Sequence, residues 1–229
     1  MSEDNYKKAK DFLLPLSSSS KAEGVYSKHL GMNFGSWYLE LHGSLRSGLS
    51  TRLDKEIDAA QRDIFYGGKV RSWLNGRTHV FLPGIDEDVF FIFTHYVRHF
   101  YKEDVGLKQI CDWIRLLWTY RDMLNHRLLE SRLRKSGLMT EWKVFAAIAV
   151  CLLGMPIEAM PFFDENDCNN KFKRKMVSLL DNITEGRVGS KIKDTLRIAK
   201  VFPFNTIRFL PGILFNVNTL KLQEMIRKK

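Results

Sequence analysis

Apolar and polar positions alternate most sharply at Trp37-Tyr38-Leu39-Glu40-Leu41-His42-Gly43. The two-residue period of an extended chain puts Trp37, Leu39 and Leu41 on one face and Tyr38, Glu40 and His42 on the other. One face can pack a core. The other presents a carboxylate beside an imidazole. A glutamate is costly to bury alone, so Glu40 either faces solvent from a sheet or is held for chemistry, often metal binding.

Around this strand the pattern predicts a helix over 4–14, ended by Pro15 and the serines Ser17 to Ser20, and a second helix over 51–65. Leu53, Ile57, Ala60 and Ile64 form the stripe of that second helix, and Gly67-Gly68 ends it. Residues 69–74 and 78–82 read as a hairpin across Asn75-Gly76, the dipeptide suited to two positive φ values. From Pro83 onward the period becomes helical. Asp86-Glu87-Asp88 offers an N-cap and an acidic first turn to a helix through Phe100. Further helices are expected over 107–120, 125–135, 140–153, 170–180, 190–200 and 218–227, with Pro203 and Pro211 among the breaks. The expected fold class is α+β, with a small sheet and flanking helices over 1–84 and an all-helical domain over 85–229.

The chain has 229 residues and is 45% hydrophobic, enough to bury a full core. Its three cysteines, Cys111, Cys151 and Cys168, are odd in number and widely spaced, which argues against a disulfide framework or zinc knuckle and for a reducing compartment. The longest apolar run, Val144 to Met155, is too short to span a bilayer, and the expected location is cytoplasmic. The formal net charge of +10 sits entirely in residues 171–229, with 14 Lys and Arg against 4 Asp and Glu. Such a segment is either a solvated helical face or a surface for nucleic acid or anionic lipid, contacted through Lys171, Lys173, Arg174, Lys175, Lys191, Lys193 and Arg197.

Four runs carry a resemblance: Glu40-Leu41-His42-Gly43; Phe93-Thr94-His95 with His99-Phe100; Val105-Gly106-Leu107-Lys108-Gln109-Ile110-Cys111-Asp112-Trp113; and Leu153-Gly154-Met155-Pro156. Together they resemble the bacterial uncharacterised nucleotidyltransferase family of the polymerase β-like superfamily, as far as about Pro161. The resemblance implies transfer of a nucleotidyl group from a nucleoside triphosphate to an acceptor, with Mg2+ held by two or three carboxylates on adjacent strands. Glu40 matches the third carboxylate and is the expected catalytic and metal-binding residue. His42, His95 and His99 are expected to face substrate.

No Gly-Ser turn followed by paired aspartates precedes Glu40. The chain therefore reads as a family member that begins after the first catalytic strands, inactive alone, with an exposed sheet edge that favours self-association. Gly43-Ser44 followed by Asp54-Lys55-Glu56 mimics the missing pair in spelling. Two residues apart on a helix, however, Asp54 and Glu56 point about 200° from each other and cannot clamp one ion. His95 and His99, four apart on a helix, share one face; structural, substrate-facing and metal-binding roles all fit that spacing. The rival function is a non-catalytic binding or scaffold protein that uses the helical domain and basic segment for an anionic partner.

Overall fold

The computed structural model describes residues 3–21, 29–102, 107–164, 166 and 191–214. Helix α1 (Glu3–Leu13) leads through a 3-10 turn at Leu14–Leu16 into a three-stranded antiparallel sheet of β1 (Ser19–Ser20), β2 (His29–Phe34) and β3 (Trp37–His42), in that order. Strand β2 is absent from the expected elements, although its signal is present. Gly35-Ser36 is a two-residue hairpin loop with a positive φ of 59° at Gly35, and Leu30 and Met32 continue the alternation backwards from it. The inner face buries Leu30, Met32 and Leu41 against Tyr6 of α1, a cluster separate from the main core. Trp37 and Leu39 lie on this same face but at the outer strand, where Trp37 remains 78% exposed.

Helix α2 (Thr51–Phe65) matches its predicted bounds, and the whole predicted stripe of Leu53, Ile57, Ala60 and Ile64 is buried. Each of its larger aliphatic side chains contributes about 1.5–3 kcal/mol by leaving water. The Ser50 hydroxyl accepts from the Leu53 amide as the N-cap. Strands β4 (Val70–Asn75) and β5 (Thr78–Pro83) form the expected hairpin, but its loop is Gly76-Arg77. Asn75 pairs with Thr78, and of the loop residues only Gly76 has a positive φ, so the expected Asn75-Gly76 turn is displaced by one residue.

The helical part comprises α3 (Ile85–Lys102), α4 (Leu107–Tyr120), α5 (His126–Ser136), α6 (Met139–Cys151) and α7 (Lys191–Val201). A further helix, α8, spans 203–214. Asp86, Glu87 and Asp88 lie inside the first turn of α3 instead of capping it; the Asp88 amide bonds to the Gly84 carbonyl, and Asp86 accepts from the Asn125 amide. Pro203 does mark a break, between α7 and α8, but Pro211 lies inside α8, against its reading as a break. Pro203 sits at its first position, where no amide donor is needed, and the Thr206 amide bonds to Phe202.

The main buried cluster joins Leu49, Leu53, Ile57 and Ala60 to Phe93, Trp113, Trp142, Phe145, Phe202 and Phe209. It therefore runs across position 84. Helical spacing would place Trp113, Trp118 and Trp142 in the core; Trp113 and Trp142 are there, with ring centroids 4.9 Å apart and edge to face. Trp118 is exposed instead, with the Arg121 guanidinium 4.4 Å from its ring. Cys151 is disulfide-bonded and Cys111 is a free, exposed thiol, which corrects the expectation of unpaired cysteines. No helix among the described residues is long and apolar enough to cross a membrane. The predicted helices at 170–180 and 218–227 lie outside the described residues, as do Lys171, Lys173, Arg174 and Lys175.

Candidate functional site

The hairpin register assembles the site. Counting outward from Gly35-Ser36, Asn33 faces Tyr38, Gly31 faces Glu40 and His29 faces His42, all on the outer face of the sheet. Glu40 is then two residues from His42 along β3 and diagonal to His29 on β2, both within reach of a carboxylate. The Glu40 Oε2 atom lies 3.3 Å from His29 Nε2 and 3.5 Å from His42 Nε2. The two imidazoles stack at 4.4 Å between centroids with 18° between planes.

Gly31 opens the space beside Glu40. A Cβ built on Gly31 would lie 2.2 Å from the Tyr38 hydroxyl, so the missing side chain lets the phenol lie across the sheet toward Glu40. Tyr38 hydrogen-bonds the Glu40 carboxylate, and Lys21 Nζ stands 5.1 Å from the Tyr38 ring centroid. Partial burial alone would push the Glu40 carboxyl up; the His29 imidazole, the Tyr38 hydrogen bond and His42 together outweigh it and hold the carboxyl below its ordinary value. Burial lowers His42, and His29 and Arg98 of α3 push it the same way against the pull of Glu40. Arg98 is therefore close enough for its charge to act on this face.

Of the residues named from sequence, the structure brings Glu40 and His42 together and adds His29, which sequence reasoning missed. These three form the only group of three or more metal-capable side chains among the described residues. His95 and His99 are not part of it. They form a pair of their own on α3, Nε2 to Nε2 at 2.9 Å, with rings 4.4 Å apart. The Asp54 to Glu56 mimic is a loop anchor. Asp54 Oδ1 accepts from the Ser47 amide, the Ser47 hydroxyl and the Gly48 amide, which commits that oxygen to architecture.

The donor set does not fit Mg2+. That ion takes oxygen ligands in octahedral geometry, from one or two carboxylates, water and substrate phosphates, whereas two of the three donors on this face are imidazole nitrogens. No protein-family profile, curated protein or solved structure matches the chain.

Proposed function

We propose that the outer face of β2 and β3 receives a phosphate-bearing ligand, as the resemblance to polymerase β-like nucleotidyltransferases implies, and that this chain alone does not transfer a nucleotidyl group. The observation that carries the reading is the solitary Glu40 between two imidazoles on an open face whose further charges are positive. His29 and His42 flank it, Arg98 acts on His42, and Lys21 stands over Tyr38. Arg and Lys placed around an open face suit phosphate oxygens. In-line transfer across two metal ions needs further carboxylates beside Glu40, and the described residues supply none there.

In this reading the antiparallel sheet is nucleotidyltransferase-like, with β3 as its outer strand among the described residues. Trp37 and Tyr38 are exposed on that strand. The test is incubation of the chain with each nucleoside triphosphate in Mg2+, following pyrophosphate release, alongside equilibrium binding of the triphosphate. Weak binding, further weakened by Arg98→Ala and without pyrophosphate release, is the expected result. Release that disappears in Glu40→Gln would show a complete transfer centre and refute the claim of inactivity; triphosphate binding indifferent to Arg98→Ala would refute the phosphate face.

The charge excess of residues 171–229 favours a second role, binding of a polyanion such as nucleic acid. A log-log salt slope of about four or more, lost on neutralising Lys171, Lys173, Arg174 and Lys175, is its signature.

A further inference from the structure

We propose that His29, Glu40 and His42 form a binding site for a borderline divalent transition ion, with zinc as the probe, in which two imidazole nitrogens and one carboxylate oxygen fill three of four tetrahedral positions. The inference stands apart from the phosphate-binding reading, because it needs only these three side chains and no nucleotide.

Three observations carry it. The first is the chemistry of the donors: imidazole suits zinc, copper, iron and nickel, and two imidazoles with one carboxylate is a set that zinc accepts with its fourth position open to water. The second is distance. Ligand atoms about 2.0–2.1 Å from a tetrahedral ion stand about 3.3–3.4 Å from one another. Glu40 Oε2 is already 3.3 Å and 3.5 Å from the two nitrogens, and all three donors lie within 4.8 Å of one another.

The third is an orphaned atom. His29 Nε2 is shut off from solvent and makes no hydrogen bond, despite its nearness to the carboxylate. An imidazole nitrogen left without a partner loses about 1–3 kcal/mol relative to a satisfied one, and a metal ion would satisfy it. The stacked rings must each turn so that their in-plane lone pairs converge, a motion open to side chains that are 30% and 28% exposed.

Supporting contacts are present as well. The Tyr38 phenol helps hold the carboxyl down and lies where a residue supporting a metal ligand would stand. The positive charges of Arg98 and Lys21 oppose a cation, so this site should bind more weakly than a closed structural zinc site. They also favour an anion in the open fourth position.

The test is calorimetric titration of zinc into chelator-treated full chain carrying Cys111→Ser, which removes the exposed thiol as a competing ligand, with cobalt substitution followed by its visible spectrum. The expected result is one equivalent with a tetrahedral cobalt spectrum free of thiolate bands. Affinity should fall at least about tenfold in His29→Ala, His42→Gln and Glu40→Gln, and about tenfold in Tyr38→Phe. His95→Ala with His99→Ala should change nothing. Absence of zinc binding, binding unaltered in His29→Ala and His42→Gln, or binding lost through His95 and His99 would each overturn the proposal. A chain that binds zinc but no triphosphate would uphold this site and refute the phosphate face; the converse would refute this site alone.

Discussion

Glu40 and Glu141 are the same side chain in two regions of the molecule, and their surroundings push them in opposite directions. On the sheet face, Glu40 is in reach of water and of two imidazoles, and its carboxyl is held below the ordinary value. Inside the helical body, Glu141 is fully buried on α6. Burial drives its carboxyl up, against hydrogen bonds from Asn205 and Tyr101 that pull it down. Tyr101 donates to Glu141 Oε1 at 2.8 Å, while Oε2 has no partner. Glu141 thus ties α3, α6 and α8 together, and its chemistry is spent on architecture. Glu40 leaves its carboxylate accessible to a ligand. A polar residue in the core is evidence about packing, and one on an open strand between imidazoles is evidence about binding.

The largest expected effect tests the architectural side. Arg132, on α5, is almost fully buried and bonds Glu87 Oε1 and Asp63 Oδ2, each at 2.9 Å, across α2, α3 and α5. Arg132→Ala should cost about 3–5 kcal/mol in denaturant unfolding, because it strands the buried Glu87 charge. Glu40→Ala should cost less than about 1 kcal/mol. Equal losses would mean that the sheet-face trio holds the fold, and the comparison would fail. Met32→Ala empties the small sheet core and should cost about 2–5 kcal/mol. Hydrogen exchange should then quicken in β2 and β3 before α3 and α6, since the two buried clusters are separate.

Glu141 sharpens the contrast through pH. Its folded-state carboxyl is raised, so its contribution is fully present below the unfolded-state value and is lost as pH rises through the folded one. Glu141→Gln should flatten the fall in Tm with rising pH while keeping the amide-compatible bonds. Glu141→Ala should cost about 1–3 kcal/mol below the unfolded-state value, by leaving Tyr101 without its acceptor, and less as pH rises through the folded one. A Tm profile of the Gln variant that matches the parent would show that Glu141 titrates normally.

The smallest effect is expected at Gly31. Gly31→Ala would push the Tyr38 ring end aside, a side-chain swing that costs little stability but removes a donor from Glu40. The Glu40 carboxyl, followed by NMR titration, should move upward. With the carboxyl lowered in the folded state, its small stabilisation is present above the unfolded-state value and fades as pH falls through the folded one. An unchanged titration would exclude the Tyr38 contact as a cause.

Much of the scaffold was legible in sequence, and for local reasons. Helix α2 matches its predicted bounds because an N-cap serine, an apolar stripe of helical period and the pair Gly67-Gly68 all act within a few residues of one another. The two faces of β3 followed from alternation alone. Local rules misled where tertiary context intervened. Helix α8 continues through Pro211 because Phe209 is buried against Tyr101, and Trp118 escapes the core although its spacing matched that of its neighbours.

What the sequence determined by itself was the presence of Glu40 and His42 on one face, since the pleat fixes that within a single strand. Recruitment of His29 was decided by pairing. Gly35-Ser36 sets the register, and only that register carries an imidazole eleven positions before Glu40 to its side. A site built across strands belongs to the hydrogen-bond ladder as much as to the residues in it, and a ladder exists only once the chain has folded.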